Sequence, residues 1–218
     1  MSSITSNSAS SSENTYQGPP HVHHMDAVTA YNAAKLGLWL FLATEILLFA
    51  VLFTSFALMR WTHLAEFHAG SHHLNKWAGA FNTVVLIVSS FTAAMALDSA
   101  QRGNNKGVTR NFAISFICGC IFLVVKFFEY REKYHHGFFP GGANFYEFKN
   151  FLGIYFVMTG LHGLHVIIGM GLMTWSVSKS LKNRYGPTYY TPVEVTALYW
   201  HLVDLIWIYL FPLLYLVG

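Results

Sequence analysis

The chain has 218 residues, room for one compact unit, and 54% of them are apolar while only 11% are charged, against roughly 25% charged in a soluble domain. With a mean hydropathy of +0.39, such a surface must meet lipid, which excludes a water-soluble globular enzyme. The formal charge of +3 is mild and its basic residues are scattered through short stretches, so nucleic-acid binding has no footprint.

Residues 1–30 are expected to form a polar, disordered cytoplasmic tail. Their first part is rich in Ser, Asn and Thr, with no apolar run to offset the entropy of ordering. They also lack the basic start and apolar core of a cleavable signal peptide. A membrane helix needs about 20 mostly apolar residues, and five segments reach that length, at about 33–59, 77–97, 112–130, 151–178 and 195–217. The expected fold is therefore all-α, an integral membrane bundle of five transmembrane helices. Arg102, Lys106 and Arg110 crowd the link between spans two and three, and Lys179, Lys182 and Arg184 follow span four. The positive-inside rule then puts both links and the amino terminus in the cytoplasm and the carboxyl terminus outside.

An ionisable group at the bilayer centre costs on the order of 2.5–3.5 kcal/mol even on lenient scales, so the few within the spans mark where function is to be sought. In span one, Glu45 has no basic residue within two turns of its helix. It is either a neutral carboxyl bonded to a neighbouring helix or a carboxyl on a proton or lipid pathway. In span three, Lys126 and Glu129 are three residues apart and can pair, or their long stems can draw them toward the headgroups. In span four, His162 and His165 share a helix face, and in span five His201 and Asp204 do the same. Gly160, Gly163, Gly169 and Gly171 let helices come close there, so hydrogen bonds between helices are expected of these histidines rather than metal ligation.

Outside the spans lie His21, His23 and His24 in the tail, and His63, His68, His72 and His73 in the first outer loop. With no thiolate beside them they make a poor transition-metal site. Cys118 and Cys120 point to different sides of one helix and read as small core residues. Trp39, Trp61, Trp77, Trp175, Trp200 and Trp207 are expected mostly at span ends, as an aromatic belt.

Several segments resemble subunit III of the haem-copper terminal oxidases. The run Leu36-Gly37-Leu38-Trp39-Leu40-Phe41-Leu42-Ala43-Thr44-Glu45 is similar to the family's helix bearing one membrane-embedded glutamate. Phe81-Asn82-Thr83-Val84-Val85-Leu86 resembles its Leu-Asn-Thr helix, and Phe128-Glu129-Tyr130 its Glu-Tyr ending. Most specific are Thr159-Gly160-Leu161-His162-Gly163-Leu164-His165-Val166-Ile167-Ile168-Gly169 and Tyr199-Trp200-His201-Leu202-Val203-Asp204-Leu205-Ile206-Trp207. The resemblance covers all five spans. It departs from the family's usual seven helices, as short bacterial forms do, and at Lys126, where the family more often has glutamine.

What the resemblance implies is a seat beside subunit I, with subunit II, in a respiratory oxidase of a bacterial plasma membrane that reduces dioxygen to water and pumps protons. The subunit itself would carry no haem or copper, which belong to its partners. It would bind phospholipids and support proton uptake, with Glu45 as the family's buried glutamate. His162, His165, His201, Asp204, Lys126 and Glu129 would be polar helix-packing residues, and Lys179 would meet a lipid headgroup. Cytochrome c, preferred here, or a quinol would be oxidised elsewhere in the complex. The rival readings are a secondary transporter, which five unrepeated spans fit poorly, and a free-standing helical scaffold.

Overall fold

The computed structural model describes residues 27–142 and 144–217, and most of the expected tail, with His21, His23 and His24, lies outside them. Among the described residues five helices are long and apolar enough to cross a membrane. They are α1 (Ala27–Thr62), α3 (Lys76–Gln101), α4 (Asn105–His135), α5 (Lys149–Ser180) and α6 (Thr191–Phe211). The first four extend beyond their apolar stretches at both ends, because flanking polar residues continue the helix, whereas the fifth starts earlier than expected and ends as an α-helix at Phe211, before the expected 217, where Pro212 opens a π-helical turn. α1 accordingly starts inside the stretch assigned to the tail. An additional short helix, α2 (Leu64–Ser71), occupies the loop between α1 and α3.

Small side chains decide how the spans pack. Along α3 the buried face reads Gly79, Asn82, Leu86, Ser89, Ala93, Ala96 and Ala100. From Ser89 onward it lies on an α4 face that includes Gly107, Asn111 and Ser115, the close approach that membrane helices use in place of hydrophobic collapse, while Gly79 packs against Phe211 and Tyr215. The turn between them is tight. Gly103 takes φ +72°, and the Asn104 side chain caps α4 by accepting from the Gly107 N–H at 3.0 Å. α5 packs on α4 and α6, and α6 returns to α3, closing a four-helix ring.

α1 stands apart from this ring, touching α5 and α6 but neither α3 nor α4 to any extent. Leu38, Leu42, Phe49 and Phe56 face inward, while Leu36, Trp39, Leu40, Leu47, Val51 and Leu58 remain exposed for lipid or another subunit. At one end Lys35 Nζ ties α1 to Glu194 of α6 at 3.0 Å. At the other, α2 docks under α5. Its Glu66 carboxylate accepts from the Asn150 N–H at 2.7 Å and the Phe151 N–H at 3.3 Å, a cap supplied from outside the helix.

Two expectations are corrected. Trp200 and Trp207 belong to no belt. They are wholly buried in the bundle, where each indole N–H finds a hydroxyl, Ser89 at 2.7 Å and Thr83 at 3.1 Å respectively. A polar handle that can be paired inside is free of the pull toward the interface. Trp61 and Trp77, by contrast, are exposed at helix ends. Cys118 and Cys120 are free and only half-buried.

Candidate functional site

Glu45 obtains from another helix the partner that its own helix lacks. Its Oε2 lies 2.8 Å from Nε2 of His165 on α5, and Phe49 packs edge-on against the same imidazole with ring centroids 5.3 Å apart. The other ring nitrogen, Nδ1, is 2.8 Å from the Leu161 carbonyl, an acceptor only, so Nδ1 must carry a hydrogen. The Nε2···Oε2 contact therefore contains one proton, whether the glutamate or the histidine owns it. The pair is neutral overall in either case, which is how a carboxyl can sit at membrane depth with side-chain exposure of 15%. Chemically it can hold a proton and pass it between two atoms.

Lys126 and Glu129 are buried and pair with each other inside the bundle rather than reaching along their stems toward the headgroups. Lys126 Nζ donates to Glu129 Oε2 at 3.1 Å, to the Tyr155 hydroxyl at 3.2 Å and to the Tyr215 hydroxyl at 2.9 Å. Both phenols in turn donate to Glu129, at 2.8 Å from Tyr155 and 2.7 Å from Tyr215. The geometry depends on Pro212. Proline cannot continue the helical ladder, and α6 passes into a five-residue π-helical turn, Pro212–Leu216, that swings Tyr215 back over the pair. The ion pair thus has every hydrogen-bonding direction filled, the condition under which a buried pair is tolerated.

The remaining intramembrane groups divide. His201 Nδ1 meets the Ser90 hydroxyl of α3 at 2.6 Å, an interhelical bond as expected of these residues. His162 makes none. It lies between Phe122, at 5.5 Å, and Trp207, at 5.3 Å, and both its ring nitrogens are without partners among the described residues. Asp204 is also buried with both oxygens unpaired. The two pairs that share a helix face in sequence therefore do not act together: His165 turns to α1 and His201 to α3. At the end of α5, the Lys179 ammonium lies 3.7 Å above the Trp175 ring, with no carboxylate paired to it among the described residues, and the Arg184 charge is nearby.

Two grooves open on the outer surface. One, of about 320 Å³, lies between α1 and α6 and is lined by Ile46, Phe49, Ala50, Phe53, Leu205 and Tyr209 among others. The other, of about 380 Å³, lies between α4 and α5 over Gly160 and Gly163, with Lys126, Tyr130 and Thr159 reaching its wall. The histidines between α1 and α3 do not converge. Only His68 and His72 are close, with ring centroids 4.9 Å apart, and no group of three or more potential metal ligands forms among the described residues. Tyr155, Tyr215 and Glu66 were not marked by the sequence, and Asn82 only as part of the Phe81-Asn82-Thr83 motif; Pro212 alone hinted that the chain bends near Tyr215.

The family model for cytochrome c oxidase subunit III matches residues 4–218. The chain belongs to this family. Among curated proteins, it is 31% identical to cytochrome c oxidase subunit 3 of Corynebacterium diphtheriae over 193 residues, 88% of this chain and 91% of that protein. It is also 31% identical to the cytochrome bo(3) ubiquinol oxidase subunit 3 of Pseudomonas putida over 183 residues, 84% of this chain and 85% of the relative. To the quinol oxidase subunit 3 of Bacillus subtilis it is 29% identical over 196 residues, 84% and 86% of the two chains. The protein is thus a multi-pass membrane subunit of a haem-copper oxidase, a complex in which subunit III sits with subunits I and II.

Proposed function

We propose that the chain is the non-redox subunit of a respiratory oxidase that reduces dioxygen to water and pumps protons, supporting the catalytic subunit through lipid binding and proton uptake. The observation that carries this reading is the Glu45–His165 pair. It is a one-proton store at membrane depth, on the side of α1 and α5 that the four-helix ring leaves open. The apolar groove between α1 and α6 suits an acyl chain, and Lys179 at the end of α5 suits an anionic headgroup. Haem and copper belong to the partner subunits. Cytochrome c is the preferred electron donor, a quinol the alternative, and both relatives at 31% identity leave the two readings in play. The complex is placed in a bacterial plasma membrane, with the amino terminus cytoplasmic and the carboxyl terminus periplasmic.

The test is purification of the native complex with wild-type chain and with Glu45→Gln. The expected result is an unchanged haem spectrum, with slower proton uptake and shorter working life in the variant. Loss of haem on this single change would overturn the division of labour. Turnover with reduced cytochrome c but not with a quinol, or the reverse, decides the donor.

A further inference from the structure

Six side-chain atoms in the interior of the α3–α6 ring have no hydrogen-bonding partner among the described residues. They are both ends of the Asn82 carboxamide, both ring nitrogens of His162 and both carboxyl oxygens of Asp204. The three residues are at most 2% exposed. Flipping the amide or the imidazole exchanges two atoms that are both bare, and the one hydroxyl beside Asp204, that of Ser90, already meets His201 at 2.6 Å and has a single hydrogen to give, so it serves at most one of the six.

Each of the three is tied to Trp207 by a ring contact, by helix spacing or through a chain neighbour. The Trp207 indole donates to Thr83, the residue after Asn82. Its ring lies against His162, and Asp204 is one turn earlier on the same helix. Lys126 also approaches it, with Nζ 5.2 Å from the Trp207 ring. Three bare polar groups inside a membrane protein are costly, because there is no bulk solvent to satisfy them. Since this chain alone already encloses them, neither lipid nor a neighbouring subunit can reach them.

We propose that the core of the bundle around Trp207 holds a closed cluster of ordered water molecules hydrogen-bonded to Asn82, His162 and Asp204. The donor set fits water. A carboxamide, an imidazole and a carboxyl together present donors and acceptors, and only a ligand that both donates and accepts answers all three. A cation would leave the amide N–H groups bare. The cluster lies between the Ser90–His201 bond and the Lys126 network, and so hydrates the interior between the two.

The experiment is a density map of the intact oxidase at a resolution that shows water, with the same complex carrying Asp204→Asn or Asp204→Leu followed through thermal denaturation. Peaks within hydrogen-bonding distance of Asp204 and His162 are expected. Asp204→Asn, which still bonds water, should keep the melting midpoint within a degree or two of wild type, and Asp204→Leu should lower it by several degrees. A core around Trp207 without such density, or one in which the three side chains turn to bond each other directly, overturns the proposal. So does an Asp204→Leu complex that melts at or above the wild-type temperature, since removing a dry, unpaired carboxyl is a gain.

Discussion

Lys126→Met tests whether the buried ion pair holds the bundle together. Methionine fills a similar volume but leaves Glu129, which is 5% exposed, with two phenol donors and no hydrogen-bonded cation, only the more distant charge of Lys133. Removing one partner of a buried pair costs roughly 3–5 kcal/mol, far more than the roughly 0.6 kcal/mol typical of one neutral interhelical hydrogen bond in a membrane. The charge term therefore dominates, and for a chain of this size it corresponds to a fall of roughly 6–20 °C in melting midpoint. The double change Lys126→Met with Glu129→Gln removes the stranded charge while leaving Tyr155 and Tyr215 an acceptor, and should recover most of the loss. The assay is heating of the purified complex in detergent, scored by retention of folded subunit III. A single variant as stable as wild type would refute the reasoning, and so would a double variant at least as damaged as the single one.

Glu66→Gln weakens the cap on α5 and should cost about 1 kcal/mol. Amide exchange at Asn150 and Phe151 would rise by about fivefold while the middle of α5 stays protected. Gly169→Ala would place a methyl carbon 2.7 Å from Trp200 Cε3, whereas the same change at Gly163 meets nothing within 4 Å. The first should lose about 1–3 kcal/mol of stability and the second almost none, read as melting midpoints of the two complexes. A hydrophobic carbodiimide should modify Glu45, whose side chain keeps 15% exposure beside His165, and spare Glu129, whose side chain keeps 4% behind two tyrosines; peptide mapping of the labelled complex reports both.

Much of this protein is written locally. Apolar runs of spanning length and a small-residue face on α3 are properties of neighbouring residues, and they determine five spans, a helical bundle and the short list of intramembrane ionisable groups. The motifs around His162 and around His201 also carry the family directly. What these groups do was another matter. Sequence spacing pairs His162 with His165 and His201 with Asp204, yet only His165 and His201 find partners, because helix rotation points the other two into the core around Trp207.

Tertiary structure alone brought Glu45 to His165 across 120 positions and Tyr215 to Glu129 across 86. It buried Trp200 and Trp207, set α1 beside the ring rather than within it, and used a carboxylate of α2 to cap α5. Hydropathy fixes only how deep a residue lies along the membrane normal. Which residue it faces depends on how each helix is rotated about its axis, and that is settled by the fit of many small contacts between helices far apart in the chain.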